Sequence, residues 1–126
     1  LSFETAMVEE FAAIPVIGSK LYPLAAPGDT VAPYVVYGAS EGMRVRALDG
    51  YKDSKEINVD MNVVAQTYKS MKQNTAAVLD MIISFQQRAI GTEGLFIQEI
   101  DLEEPDEIYE DVPKLHKCVI SFTVYI

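Results

Sequence analysis

The residues with most chemistry to offer lie near the C-terminal end. They are His116, the only histidine, Cys118, the only cysteine, and eight carboxylates between Glu99 and Asp111. On a strand, His116 and Cys118 would share a face. As base and nucleophile they would need a third group to orient the imidazole, and such pairs ordinarily come from separate elements. As metal ligands they are two where a structural zinc site takes four. The reading their types favour is a small buried Cys118 and a polar His116 at a strand start. The carboxylates are Glu99, Asp101, Glu103, Glu104, Asp106, Glu107, Glu110 and Asp111, with no Lys or Arg among them. They lack the spaced acidic ligands and closing Glu of an EF-hand. One reading is a solvated loop kept open by self-repulsion. Another is a wall past which a polyanion slides without being held, with Glu103, Glu104, Asp106 and Glu107 facing it. Neither nucleotide-binding glycine pattern occurs, nor HExxH, nor GxSxG. No catalytic residue, cofactor or metal is therefore expected.

Hydrophobic periodicity defines the elements that carry these residues. Phe3, Met7, Phe11 and Ile14 recur at helical spacing, with Ser2 as N-cap, Glu4 in the first turn and Pro15 as the stop. Residues 18–33, punctuated by Pro23, Pro27, Gly28 and Pro33, read as an irregular connector. Tyr34 to Ala39 is a strand rich in aromatic and β-branched residues. It extends toward a hairpin arm across Glu41 to Asp53, with Asp49-Gly50 as the turn. From Lys55 to Ala65, Ile57, Val59, Met61 and Val63 alternate with Asn58, Asp60 and Asn62, which predicts a half-buried strand. Thr67 caps a long helix with Tyr68, Met71, Thr75, Val78, Leu79, Ile82 and Phe85 on its apolar stripe, and Gly91 and Gly94 suit its end.

That stripe widens where Met81 and Ile83 join it, which predicts cover from the sheet and from a neighbouring copy. Leu95 to Leu102 reads as a strand and the acidic run as a loop. The last strand, from about Leu115 onward, buries Cys118, Ile120, Phe122, Val124 and Ile126, with Tyr125 on its other face. At about 3.3 Å per residue this strand outruns a small domain, so it is expected to bend or to pair with another chain. Met81, Ile83 and Tyr125 are the candidate assembly surface. The fold class expected is α+β: residues 1–126 as one domain, a mainly antiparallel or mixed sheet of four to five strands, one long helix on one face and a short N-terminal helix.

Composition narrows the partners. The 126 residues are 49% hydrophobic, enough for a core, and carry a formal charge of −9 from ten Lys+Arg against nineteen Asp+Glu. This balance disfavours gripping nucleic acid or an anionic membrane, both of which need clustered cations. A lone cysteine fits a reducing compartment. No apolar run approaches the roughly 20 residues of a membrane span, and none reads as a signal peptide. A soluble cytoplasmic protein is expected.

An ordered set of segments carries a resemblance. The connector LYPLAAPGDTVAPYVVYG (Leu21 to Gly38), the strand INVDMNVVAQTY leading into the long helix, and the ending IYEDVPKLHKCVISFTVYI resemble the tail-terminator and head-to-tail joining proteins of long-tailed phages. The likeness runs from about Ser19 to Ile126. It implies a structural virion protein without catalytic residues. Such a protein forms a ring, expected to be a hexamer, at the head-proximal end of the tail tube. Its partners would be further copies of itself, the tail-tube protein and the head-neck connector, with DNA passing through unread. It would assemble in the host cytoplasm and end at the tail–head interface of the virion. Two alternatives stay open: a head-closure or tail-tube subunit of the same machine, and a small-molecule-binding α+β regulator.

Overall fold

The computed structural model describes residues 2–15, 17–24, 26–28, 30–39, 43–47, 50–110 and 115–126, with backbone alone at residues 2, 43–47, 50–55 and 110. Helix α1 (Ser2–Phe11) opens the chain. It is followed by strands β1 (Leu21–Pro23), β2 (Tyr34–Ala39), β3 (Met43–Ala47) and β4 (Gly50–Ala65). Helix α2 (Tyr68–Ser84) comes next, then β5 (Arg88–Ile90), β6 (Leu95–Ile97), β7 (Glu99–Leu102), β8 (Asp106–Glu110) and β9 (Leu115–Tyr125). The architecture is α+β, as the patterning predicts.

Seven strands form one mixed sheet in the order β1-β2-β4-β9-β7. β3 continues the β2 position along β4, and β8 continues the β7 position along β9. Only β1 runs parallel to its neighbour; the other pairings in this sheet are antiparallel. Each strand's alternation decides which face it buries. Ile57, Val59, Met61 and Val63 of β4, and Cys118, Ile120, Phe122 and Val124 of β9, are all buried. They occupy facing register positions under α2, which contributes Met71, Thr75, Val78 and Ile82. Thr67 caps α2 as expected: its hydroxyl accepts from the Ser70 N–H at 3.1 Å.

Several expectations change. α1 begins at Ser2 and ends at Phe11, four residues short of Pro15, although Phe3, Met7, Phe11 and Ile14 are all buried. The segment read as an irregular connector contains β1, a three-residue strand too short to show a period. α2 ends at Ser84 with Phe85 as its cap, so Gly91 and Gly94 do not end it. They turn the β5–β6 hairpin instead, both at positive φ. Tyr68 stands at the helix start 54% exposed, outside the buried stripe. The single strand expected at Leu95 to Leu102 breaks at Gln98, where the Gln98 N–H donates to the Tyr125 carbonyl and the chain passes from the hairpin to the main sheet.

Of the two features that pointed to a neighbouring copy, the long last strand is satisfied inside the chain and the wide helix stripe only in part, since Ile83 stays 58% exposed. β9 is a central strand, flanked by β4 on one side and by β7 and β8 on the other, so its full length is paired without a second chain. The wide end of the α2 stripe meets α1, where the Phe11 and Phe85 rings lie 6.1 Å apart. The strand that outruns the domain is β4. Its 16 residues span on the order of 50 Å. Its first six lie beyond the last β9 pair, at Glu56, and have β3 alone as partner. The hairpin arm is therefore present; of the region read for it, Glu41, Gly42, Leu48 and Asp49 lie outside the described residues.

Candidate functional site

With α2 on one face of the sheet, the other face is left without a helix, and it is charged. Register places Glu56 and Asp60 of β4, Glu99 and Asp101 of β7 and Asp106 of β8 on it, beside Lys117 of β9. Asn58, Asn62, Ser121 and Thr123 lie among them, and toward the C-terminal end of β4 the face becomes apolar, with Val36, Val119, Ile108 and a buried Val64. The Ser121 hydroxyl donates to Asp60 Oδ1 at 2.7 Å, and the Thr123 hydroxyl to Asn58 Oδ1 at 2.9 Å. These cross-strand bonds hold β4 and β9 side by side without apolar cover. Tyr125 records the local field. Its phenol is pushed above its ordinary value, first by partial burial and then by the negative charges of Glu56, Asp101 and Glu99.

The acidic run is mostly strand and not loop. Residues 103–105 alone connect β7 to β8, and β8 pairs along β9 from Asp106 to Glu110. Strand alternation then separates the four residues singled out as a polyanion-facing group. Glu103 and Glu104 sit in the exposed connector, and Asp106 takes an open-face position. Glu107 falls on the helix face and forms an ion pair with Lys72. That pairing, with a further hydrogen bond to Tyr68, raises the Lys72 ammonium above its usual value. The sequence had no means of sorting these carboxylates, because the period-two signal is masked when both faces carry charge.

The three residues of the candidate assembly surface also divide. Met81 is half-buried against the core and Ile83 is 58% exposed, both on α2. Tyr125 is half-buried on the opposite face of the sheet, near the α2 end of the molecule, where it lines a shallow depression with Gln86, Gln87, Gln98 and Glu99. Exposed apolar side chains that the sequence reading did not single out include Val8, Leu24, Val31, Phe96, Ile108 and Tyr109.

His116 and Cys118 lie on the helix face of β9, opposite Ala65 and Val63. The His116 ring sits between Tyr68 and Tyr109, with centroids 6.0 and 4.7 Å away. Cys118 is buried, and burial pushes its thiol up despite a hydrogen bond with Thr75. It behaves as a small core residue. Beside it an open depression of about 550 Å³ runs between α2 and the β7–β8 connector, with Lys72, Leu79 and Glu104 on its walls. Among the described residues, no group of three His, Cys, Asp or Glu side chains is placed to hold a metal ion. No described helix is long and apolar enough to cross a membrane.

Comparison with known proteins decides the family. The family described as "Tail completion protein gp17" matches residues 6–126. The chain belongs to the tail completion protein family. Among solved structures, it is similar to a chain described as "Virion of native gene transfer agent (GTA) particle", with a TM-score of 0.73 at 14% identity, covering 98% of this chain and 92% of that one. At that identity the likeness is one of fold. Comparison with curated proteins gives no match. As a tail completion protein the chain is a structural component of a phage-type virion, which displaces the small-molecule regulator.

Proposed function

We propose that this tail completion protein forms a hexameric ring on the head-proximal end of the tail tube. The ring ends tube growth, joins tail to head and lets DNA pass through its hole. The observation that carries the reading is the sheet face that α2 leaves uncovered. The carboxylates of Glu56, Asp60, Glu99, Asp101 and Asp106 share it with Lys117. A DNA conduit needs a wall that phosphates do not stick to, because every cationic contact would bind by counterion release and slow the moving polymer. A wall of carboxylates held by a rigid sheet satisfies that need. On this reading the open face lines the hole and Asp106 belongs to it. Glu103 and Glu104 stand at its rim, and Glu107 contributes instead to holding β8 against α2. The face with Ile83 is directed to the tube or neck protein.

The test is negative-stain imaging of the purified chain, alone and mixed with tail tubes assembled without their end protein. Rings with a central hole, or caps on one tube end, are the expected result. Uncapped tubes beside monomers or dimers overturn the proposal.

A further inference from the structure

We infer that neighbouring copies abut edge to edge, with Leu24 and Val31 on the β1 edge of one copy against Ile108 on the β8 edge of the next. This deepens the ring reading and rests on it. Among the described residues, β1 pairs with β2 alone and β8 with β9 alone, so the two strands lie on opposite sides of the main sheet. Leu24, directly after β1, is the strongest pointer. It holds a φ of +65°, which is strained for a leucine, and it stands 83% exposed. Its N–H donates to the Tyr37 carbonyl at 2.7 Å, so the fold imposes that conformation. A lone subunit gains nothing from a strained leucine in water, whereas burial against a neighbour offsets the strain.

The apolar groups on the two edges share a face and a level. Leu24 Cδ2 would stand 3.7 Å from a Cβ at Gly38, which is on the open face beside Asp60. Ile108, 47% exposed, is on that same face at the other edge. One row of the register crosses the sheet from Tyr34 through Val64 and Lys117 to Ile108. At its β1 end the Val35 N–H donates to the Lys20 carbonyl, and Lys20 Nζ donates to the carbonyl of Val31, which is 62% exposed. Leu24 lies further along, beside the row of Gly38, Asp60 and Ser121, which ends where the Glu103 N–H donates to the Ser121 carbonyl. Charge distinguishes the two edges. Among the described residues from 17 to 39, Lys20 is the one charged side chain, whereas the β8 side carries exposed Glu103, Glu104 and Asp106. β8 against a second β8 would crowd carboxylates, and Pro23 has no N–H to offer an added strand, so side chains make the contact. Contact between unlike edges is heterologous, and its repetition closes a ring.

The test makes Leu24→Cys and Ile108→Cys, singly and together, in the full-length chain and treats each with a short bismaleimide. Cys118 is buried and stays out of the reaction. Four strand spacings of about 4.8 Å separate the two edges, so the reagent cannot bridge them within one chain. The double variant is expected to give a ladder of linked chains on a denaturing gel, and each single variant unlinked chains. Dimers from a single variant would reveal a two-fold contact and overturn the inference. So would a double variant that stays unlinked while imaging shows rings. Leu24→Asn adds a second measurement, because asparagine tolerates positive φ. Its denaturant midpoint should match or exceed that of wild type, while rings should need about tenfold more protein. Rings at the wild-type concentration would remove Leu24 from the contact and overturn the inference. If wild type forms no ring, alone or on tail tubes, the ring reading fails and takes the edge contact with it.

Discussion

Single residues fasten the peripheral β5–β6 hairpin to α1. The Gly91 N–H donates to Glu10 Oε2 and the Thr92 N–H to Glu9 Oε2, each at 3.0 Å, while Arg88 pairs with Glu10 Oε1 at 2.9 Å. The bond from the Gly91 N–H, and secondarily Arg88, hold the Glu10 carboxyl below its ordinary value despite partial burial. A depressed carboxylate contributes stability above its unfolded pKa, near 4.3, and loses it as pH falls through the lower folded value. Glu10→Gln should therefore cost about 1 kcal/mol at pH 7, allowing for solvent screening, and the gap from wild type should close in the acid range below about pH 4. Denaturant unfolding at a series of pH values measures it; a gap independent of pH would show that the charge is not what stabilises. Gly91 has a second constraint. Its φ is +74°, and a Cβ there would stand 2.8 Å from Ala6 Cβ. Gly91→Ala is expected to lower stability by more than about 1 kcal/mol, read as a fall in the denaturant midpoint.

Among the elements, β9 carries most. It is the strand on which β4, β7 and β8 all depend, and its buried residues meet α2. Ile120 is fully buried opposite Met61. Truncation there removes contacts that a close-packed sheet–helix layer does not refill, so Ile120→Ala should destabilise by about 2–5 kcal/mol in equilibrium unfolding. A loss below about 1 kcal/mol would show that this layer collapses around the gap. The β3–β4 arm behaves differently. Among the described residues it has no third strand beyond Glu56, so its backbone there is stabilised by two strands, a marginal arrangement in water. Amide hydrogen exchange should be faster across residues 50–55 than across residues 59–64, where β4 has strands on both sides.

For the molecule as a whole, the uneven distribution of charge matters more than the total of −9. One sheet face is covered by α2 and the other carries an acidic patch, which is the division a ring subunit needs if one side meets DNA. Asp60→Lys with Asp101→Lys reverses two exposed positions on that face without touching the core or the β8 edge. Particles carrying this variant should assemble normally and release DNA more slowly, with a deficit that shrinks as salt rises. Unaltered release kinetics at low salt would place the face away from the DNA path.

The periodic parts of the sequence determined their own structure. Residues 57–65 and 115–125 alternate so regularly that one register buries their apolar residues, and the Thr67 cap with the stripe behind it fixed where α2 begins. The tail-type family was likewise legible in the order of segments. What only the tertiary structure decided was everything that depends on a partner distant in the chain. β1 is a strand because β2 offers it a parallel edge, and three residues hold no period of their own. β8 is a strand because β9 has an edge free beyond β7, although a run of carboxylates reads as loop. The same pairing sent Glu107 to Lys72 and Asp106 to the opposite face, a separation of neighbours that alternation along a paired strand imposes and composition does not contain.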